Sequence, residues 1–300
     1  MKIQHIFIIT IVITIVVSLL CISFFPSIQD FMEYNTLWNG VRHSLNSMNA
    51  GTIDTSQELT NVNSNNILIC IPYIQYSNSE LDGLKTFVNN GGKLILMDDY
   101  GYGNSVLQYL NLDCRFSGAP LLDPLFCYKN QWLPEIIDFA PSVSKGLKEI
   151  ILNHATALTN TGTIETLAWS SSGSFLDRNG NETWDKGEPQ GPLPVAARQQ
   201  LGKGEIILVS DPSILINSML GRGDNAQFMK NLIGPETTSV QILLDTSHLV
   251  KKPMDITKTR LNLIKNVLSQ PYVVLALLLI IFLLTSLYLL RIGGSVGRKS

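Results

Sequence analysis

Oxygen-bearing side chains recur through one short segment, DRNGNETWDKGE, at the spacing of a calcium-binding loop. Counted from its first aspartate, they fall at positions 1, 3, 5, 7, 9 and 12, from which a helix-loop-helix calcium site draws its ligands. Calcium is a hard cation that takes six to eight oxygens, so a loop of this composition can enclose one. The predicted ligands are Asp177, Asn179, Asn181, Thr183, Asp185 and Glu188.

The loop departs from the calcium pattern at position 6, where Glu182 replaces the usual glycine and Gly180 stands two residues earlier. The flanking SSSGSFL and PQGPLPV are typical of loops that enter strands rather than of two helices. We therefore expect Ca²⁺ to be structural and to hold a long loop. The alternative is an acidic surface turn without metal. A glycosylation sequon begins at Asn181, and a glycan there would exclude metal ligation by the same side chain.

A second set of polar residues follows two apolar runs, 93–97 and 204–210. In open parallel sheets, ligands bind beyond the carboxyl ends of the strands, so these residues would line a crevice there. The alternative, which the residue types favour, is that they form turns and cap helices. The candidate crevice residues are Asp98, Asp99, Asn104, Asp211, Ser213 and Asn217.

Nucleophilic catalysis would require a cysteine or serine on a sharp strand-to-helix turn, activated by a histidine and a carboxylate. The turn after the run 93–97 carries Asp98 and Asp99 instead. We therefore expect a domain without catalysis. The alternative is a hydrolase that uses either Cys127, paired in space with His154, or the Asp98–Asp99 pair.

A β-α-β unit positions the first of these turns. The apolar run 66–74 indicates a strand buried on both faces. Ser77 and Glu80 form a capping-box pattern, and apolar residues follow at helical spacing until Asn90-Gly91-Gly92 ends the helix. The run 93–97 is a second buried strand, which predicts a parallel pair with a right-handed crossover.

The rest of the domain predicts fewer regular elements. Strands are expected at 163–169, 195–200, 204–210 and 241–244, and a helix at 224–232 with Asp224 as its cap. The segment after Asp211-Pro212-Ser213 is expected to start helically. Together these elements predict a three-layer α/β domain with an elaborated middle region at 112–200.

Several ordered motifs resemble a known family over roughly residues 30–245. They are EYNTLWNG, GGKLILMDDYGYGN, RFSGAPLLDPLF, GPLPVAAR and GEIILVSDPSILIN. The chain resembles domain-of-unknown-function family 4350, whose members look like class I glutamine amidotransferase folds held in the membrane by terminal helices. The resemblance implies a flavodoxin-like fold and no established activity. A weaker likeness to auxiliary components of gliding and export systems favours, as an alternative, an accessory subunit of a transport or secretion complex.

Near each end of the chain, an apolar segment is long enough to span a bilayer. Residues 6–25 carry no charge, and bulky residues continue to Pro26, which favours an uncleaved signal anchor. Leu20 is too large for lipoprotein processing before Cys21, so lipidation is not expected. Residues 272–290 form a second uncharged run with Tyr272 and Tyr288 near its ends.

Basic residues favour cytoplasmic termini, because Lys2 precedes the first span and three cations follow the second. Three further cations at 258–265 oppose this orientation. The predicted order is a short tail (1–5), a transmembrane helix (6–25), an extracytoplasmic α/β domain (26–250), an amphipathic juxtamembrane segment (251–271), a transmembrane helix (272–290) and a basic tail (291–300).

Composition limits the partners. The region between the spans is close to neutral, which gives no indication of nucleic-acid binding. Its cysteines are Cys70, Cys114 and Cys127, an odd number without metal-type spacing, so we expect buried small residues. The sequence therefore predicts a membrane-anchored, calcium-stabilised binding domain whose partners are the bilayer and a ligand or membrane protein.

Overall fold

The computed structural model describes residues 3–58, 65–162, 164–235 and 240–296. The chain divides into two compact units. One is Pro26–Val250, and the other comprises Met1–Phe25 together with Lys251–Ser300. Within their described parts, each unit has its own secondary structure.

The helices and strands follow the chain in this order. The helices are α1 (Ile3–Phe24), α2 (Arg42–Ser47), α3 (Thr55–Glu58), α4 (Asn78–Asn89), α5 (Asn104–Tyr109), α6 (Asn225–Ile233), α7 (Pro253–Leu268) and α8 (Pro271–Val296). The strands are β1 (Gly51–Ile53), β2 (Ile67–Cys70), β3 (Lys93–Met97), β4 (Arg115–Phe116), β5 (Leu121–Leu122), β6 (Glu135–Ile136), β7 (Asp138–Phe139), β8 (Ile150–Ile151), β9 (Leu158–Thr159), β10 (Glu165–Trp169), β11 (Phe175–Leu176), β12 (Pro194–Leu201), β13 (Gly204–Val209) and β14 (Ile242–Asp245).

One mixed sheet organises the larger unit, with the strand order β1-β14-β2-β3-β13-β12-β10-β7. The strands from β1 to β13 in this order pair in parallel, and β12, β10 and β7 continue the sheet antiparallel. The parallel half differs from the flavodoxin order 2-1-3-4-5, because the last strand, β14, lies between β1 and β2. Sequence periodicity reports burial and not neighbours, so it could not reveal this placement.

The predicted β-α-β unit is confirmed, since α4 connects the parallel neighbours β2 and β3. Its capping box is complete: the Ser77 amide donates to Glu80 Oε2 at 2.7 Å, and the Glu80 amide donates to Ser77 Oγ at 3.4 Å. Gly91 follows the helix with φ of 120°, in the left-handed region that favours glycine. Local signals alone therefore specify where this unit begins and turns.

Both faces of the sheet carry a hydrophobic core, because alternate residues of each strand point to opposite faces. On one face, Leu68, Leu94 and Leu96 pack with the apolar stripe of α4 and with α5. On the other, residues such as Ile69 and Met97 pack with α2, α6 and the short strands of the middle region. A central sheet covered on both sides explains why its strands read as continuous apolar runs.

Two sequence predictions in this unit need correction. The segment after Asp211 forms only a short 3₁₀ turn, Pro212–Leu215, because Ile216 is extended (φ −69°, ψ 153°) and ends it. Asp224 precedes α6 but makes no side-chain cap. Its Oδ2 accepts hydrogen bonds from the amides of Lys148 (2.6 Å) and Glu149 (3.3 Å), so it joins the middle region to the helix instead.

The smaller unit consists of α1, α7 and α8. Among the described residues, α1 is the one helix found long and apolar enough to cross a membrane by length and composition. The second predicted span lies in α8, and the last residues of the basic tail, 297–300, lie outside the described residues. Helix α7 covers most of the predicted juxtamembrane segment, and Lys258 Nζ donates to the Phe25 carbonyl.

Candidate functional site

The turns that follow β3 and β13 lie side by side at the carboxyl edge of the parallel strands. Met97 and Val209 are register partners at the ends of these strands, and the Asp98 amide donates to the Val209 carbonyl at 3.1 Å. Asp99 and Asp211 each lie two residues beyond these partners and are therefore neighbours. The candidate crevice residues predicted from sequence include both of these aspartates.

Asp98 organises its own turn. Its carboxylate accepts hydrogen bonds from the amides of Tyr100 (2.9 Å), Gly101 (3.1 Å) and Gly103 (2.6 Å). Burial raises the pKa of Asp98, while these backbone hydrogen bonds oppose the rise. The carboxylate is thus committed to the loop backbone.

Three other predicted crevice residues also hold the structure together. The Asn104 side chain exchanges two hydrogen bonds of 2.9 Å with the Phe116 backbone. The Asn217 amide accepts from His43 N at 2.9 Å and donates to Leu37 O at 2.6 Å. The Ser213 amide donates to Asp211 Oδ1 at 2.6 Å and begins the 3₁₀ turn. For these residues the structure matches the alternative interpretation of turns and caps.

Asp99 differs from all of them. It is 9% exposed, and no other residue in the described part of the chain donates a hydrogen bond to its carboxylate. Burial raises the pKa of Asp99 to about 8, and the carboxylates of Asp211 and Asp98 add to the rise. No lysine or arginine acts on it. This carboxyl group is held in a place that disfavours its charge and that no protein group compensates.

Asp211 is fully buried beside it. Burial raises the pKa of Asp211 to about 7, although the amides of Asn153 (2.7 Å) and Ser213 (2.6 Å) donate to its carboxylate. The two carboxyl groups therefore share one low-dielectric edge, but only Asp211 has backbone partners there. This contrast makes Asp99 the group at the edge that is free to meet a ligand.

Three tyrosines lie at this edge and were not among the site residues predicted from sequence. Tyr73 follows β2, while Tyr100 and Tyr102 follow β3. Their ring centroids lie 6.0 Å (Tyr73–Tyr100), 6.3 Å (Tyr73–Tyr102) and 6.0 Å (Tyr100–Tyr102) apart. Phe31 stacks on Tyr73 at 5.8 Å. The signal in the sequence was the alternation of tyrosine with glycine directly after a buried strand, DDYGYGN.

We call Tyr73, Tyr100, Tyr102 and Asp99 the tyrosine edge. Tyr100 is 61% exposed and Tyr102 is 48% exposed, whereas Tyr73 is half-buried. Burial raises the pKa of the Tyr73 hydroxyl, and among the charged groups Asp99 has the largest effect. Burial and Asp99 also raise the pKa of the Tyr100 hydroxyl, so the carboxylate lies near the hydroxyls of Tyr73 and Tyr100.

A second polar cluster, also missed from sequence, lies where β14 ends. Asp245 Oδ2 contacts His248 Nδ1 at 2.6 Å and accepts from Tyr76 OH at 3.3 Å, while Asp245 Oδ1 accepts from Ser247 Oγ at 2.6 Å. Tyr76 stacks on the His248 ring with centroids 3.5 Å apart. His248 is 2% exposed and Asp245 is fully buried, so this cluster joins elements and does not face substrate. Its signal was a D-x-x-H pattern after a short strand.

The catalytic pair considered from sequence is not assembled. Cys127 forms an isolated β-bridge with Pro134, and the exposed His154 ring packs against Trp132 at 4.7 Å. No hydrogen bond joins Cys127 to His154 in the described ranges. Burial and nearby carboxylates raise the pKa of the Cys127 thiol, which disfavours the thiolate. All four cysteines are free.

The predicted calcium loop leaves β11 and returns to it, since Leu176 N donates to Pro189 O at 3.0 Å. The strand-like flanks expected from sequence are therefore present. Asp177 accepts from the amides of Gly180 (2.7 Å) and Glu182 (2.9 Å). Both of these residues have positive φ, 77° and 61°, so Glu182 adopts the turn conformation expected of the missing glycine.

The other proposed ligands also converge within the loop. The Asn179 and Asn181 amides each donate to Asp185 Oδ2 at 2.7 Å. Glu188 accepts from the amides of Arg178 (2.7 Å) and Asp185 (3.1 Å), and Thr183 Oγ1 donates to Asn181 Oδ1 at 3.0 Å. Among the described residues, no group of three or more histidine, cysteine, aspartate or glutamate side chains is arranged to hold a metal.

Comparison with known protein families identifies one that matches this chain. The domain-of-unknown-function family DUF4350 matches residues 34–233, which is most of the larger unit. The chain belongs to this family. No curated protein matches the DUF4350 chain.

Three solved structures are similar to parts of the DUF4350 protein. The mmIFT52 N-terminal domain is 14% identical, with a TM-score of 0.45, over 56% of this chain and 78% of that one. A β-galactosidase from Bacillus circulans sp. alkalophilus is 15% identical, with a TM-score of 0.40, over 63% of this chain and 26% of that one. A cytoplasmic protein from Salmonella typhimurium is 12% identical, with a TM-score of 0.34, over 62% and 76% respectively.

Proposed function

We propose that this DUF4350 protein is a membrane-anchored binding protein whose ligand occupies the tyrosine edge, without catalysis by the chain. The observation that carries the proposal is Asp99, a nine-tenths buried carboxyl group to which no neighbouring side chain donates. Such a group lowers stability, and proteins keep such groups where a ligand or reaction needs them. The polar groups around it, in contrast, are engaged by the backbone.

The position of the edge supports a binding role. Ligands of parallel α/β sheets bind beyond the carboxyl ends of the strands, and the tyrosine edge is built from the segments after β2 and β3, beside the segment after β13. The amidotransferase likeness of the domain stays part of the proposal and is supported by this parallel β2-β3-β13 core. The turn after β3 has aspartates where an amidotransferase would need its nucleophile.

Membrane anchoring is supported by the length and composition of α1. We place α8 as a second span, with both termini cytoplasmic and the DUF4350 domain outside the cell. The bilayer is then one partner, and a membrane protein that docks on the displayed domain is the other partner in this proposal.

Binding at the tyrosine edge is testable with the full chain in detergent. A small-molecule library is screened by ligand-observed NMR against the wild type, Tyr100→Ala and Tyr128→Ala. Tyr128 is a tyrosine on another loop, where it contacts Arg222, and so provides a matched control. We expect compounds whose signals are lost with Tyr100→Ala and kept with Tyr128→Ala. If the compounds bind Tyr100→Ala as well as they bind the wild type, the site lies elsewhere and this proposed function is wrong.

Calcium in the loop is the structural part of the proposal. Each oxygen of Asp177 accepts one hydrogen bond and keeps a further lone pair, and the Asn179 and Asn181 amides already face Asp185. A half-turn of each amide would present oxygen in place of nitrogen. The donor set, which is all oxygen, suits Ca²⁺.

Removal of calcium should therefore lower the stability of the domain. Because a ligand that binds only the native state stabilises it by mass action, calcium at a hundred times its Kd should add about 2.7 kcal/mol. The measurement is the thermal midpoint of the wild type and of Glu188→Gln, each with calcium and with chelator. We expect chelation to lower the wild-type midpoint and to change the variant little. Equal midpoints in all four conditions would remove calcium from the proposal.

A further inference from the structure

We propose that the tyrosine edge binds an organic cation, of the quaternary ammonium class, on the exposed rings of Tyr100 and Tyr102, with Asp99 as its counter-ion. This inference rests on the proposed binding function of the same edge and names the chemistry of its ligand. It follows from two independent features, the arrangement of the rings and the sign of the surrounding charge.

The rings provide the first argument. Tyr73, Tyr100 and Tyr102 lie at the corners of a nearly equilateral triangle with sides of 6.0–6.3 Å, and none of the three pairs is stacked. The interplanar angles of 43–58° turn the rings away from parallel packing. Phe31 stacks on Tyr73, but the rings of Tyr100 and Tyr102 are 61% and 48% exposed, so a cation can approach them from solvent. Cations bind such rings because the face of an aromatic ring is negative.

Charge provides the second argument. Asp99, Asp30 and Asp211 all act on the Tyr73 hydroxyl with the same sign. Among the described residues, no lysine or arginine forms an ion pair with Asp99 or Asp211, so the charge that Asp99 carries once it is deprotonated has no counter-ion there. A cation would supply it, whereas a phosphate or carboxylate ligand would be repelled.

The burial of Asp99 distinguishes this edge from an ordinary acidic surface. Asp99 is only 9% exposed. Its carboxylate oxygens have no hydrogen-bond donor from another described residue, but they are not completely shielded from solvent. The exposed Tyr100 ring lies near the carboxylate, since Asp99 acts on its hydroxyl, so a ligand on that ring would be close to Asp99. A neutral sugar also binds aromatic rings and carboxylates, but it would leave the charge of Asp99 uncompensated.

The experiment compares two probes of the same shape, choline and its neutral isostere 3,3-dimethylbutan-1-ol, with glucose as a neutral saccharide. The full chain is kept in a polyoxyethylene detergent, which has neither a cationic head group nor a sugar. Binding is followed by ligand-observed NMR at constant chloride and at pH 9, above the Asp99 pKa of about 8, so that its carboxyl group is charged. We expect choline to bind at least about tenfold more tightly than the isostere, because the charge is the only large difference between them.

Variants locate the site. Tyr100→Ala should weaken choline binding by about 2-fold to 30-fold, the range for one cation–π contact. Asp99→Asn, which removes the charge and keeps the shape, should weaken it about tenfold or more. The controls Tyr128→Ala and Asp113→Asn change a tyrosine and an exposed aspartate elsewhere and should leave it unchanged. Thermal midpoints verify that each variant is folded.

The outcomes separate the two proposals. Equal affinity for choline and its isostere, or binding of glucose that depends on Tyr100, would overturn the cationic ligand and leave the binding function standing. Choline binding that Tyr100→Ala and Asp99→Asn do not affect would overturn the inference at this site. If no compound in this experiment or in the library screen depends on Tyr100, both proposals fail.

Discussion

Asp245→Ala is expected to lower the free energy of unfolding by about 3 kcal/mol or more, because several buried hydrogen-bonding groups lose their shared partner and each unsatisfied group costs about 1–3 kcal/mol. The substitution would leave His248, Ser247 and Tyr76 without the acceptor they now share, within 2.6–3.3 Å of its oxygens. The residue is fully buried, so water cannot replace the lost partner without opening the structure. Asp245→Asn keeps the shape and one oxygen, and should lose about 1–3 kcal/mol.

The measurement is urea unfolding of the full chain in detergent, with His43→Ala as the control. His43 is an exposed histidine on α2, and its removal should change stability by no more than about 0.5 kcal/mol. The cluster joins the end of β14 to the segment after β2, where the amides of Tyr73 and Ile74 donate to the His248 carbonyl. If Asp245→Ala and His43→Ala unfold alike, the cluster does not stabilise this junction.

The contribution of Asp245 also has a defined pH dependence. Burial raises the pKa of Asp245, but hydrogen bonds from His248 and Ser247 outweigh this and hold the pKa below its ordinary value. A carboxyl group with a lowered native pKa stabilises the fold above the unfolded pKa of about 4 and loses this contribution as pH falls through the native pKa. The difference in unfolding free energy between wild type and Asp245→Ala should therefore be largest near pH 7 and should shrink below about pH 4.

Two adjacent aspartates should respond in opposite ways to the same substitution. Asp99→Asn is expected to stabilise the domain by about 1–3 kcal/mol at pH 8, because it removes a buried charge that has no partner. Asp98→Asn is expected to destabilise it by a similar amount, about 1–3 kcal/mol, because Asp98 accepts three backbone hydrogen bonds that an amide cannot all accept.

The gain from Asp99→Asn should grow with pH. The pKa of Asp99 is about 8 in the folded protein and ordinarily near 3.8, so between these values the native state holds a proton that the unfolded chain has lost. Wild-type stability therefore falls as pH rises through this window, and the variant escapes that fall. Urea unfolding at pH 5 and pH 8.5 measures the difference. A loss of stability with Asp99→Asn at the higher pH would show that Asp99 is compensated after all.

These two predictions also connect stability with binding. A residue that weakens the fold and strengthens ligand binding is typical of a functional site, where stability and function oppose each other. The same Asp99→Asn substitution should then raise stability and reduce choline affinity. Asp98→Asn should not raise stability at the cost of affinity in this way, because the hydrogen bonds of Asp98 stabilise the loop whether or not a ligand is present.

Local sequence determined the elements that present the site. The unit from β2 to β3 was predicted with its capping box, because strand burial and helix capping depend on residues close together in the chain. The strands at 204–209 and 242–245 were also anticipated for this reason. The calcium loop was predicted from residue types and spacing; its strand-like flanks are present in the fold, and metal binding there stays a prediction.

Only the tertiary structure decided which residues meet. Tyr73, Tyr100 and Asp211 come from segments far apart in the sequence and converge because β2, β3 and β13 are neighbours in one sheet. Asp245 meets Tyr76 because β14 pairs with β2, a placement that no periodicity reveals. The aspartates after β3 looked equivalent in sequence, yet one accepts three backbone hydrogen bonds and the other has none from its neighbours. That difference depends on burial and on long-range pairing, which local pattern does not encode.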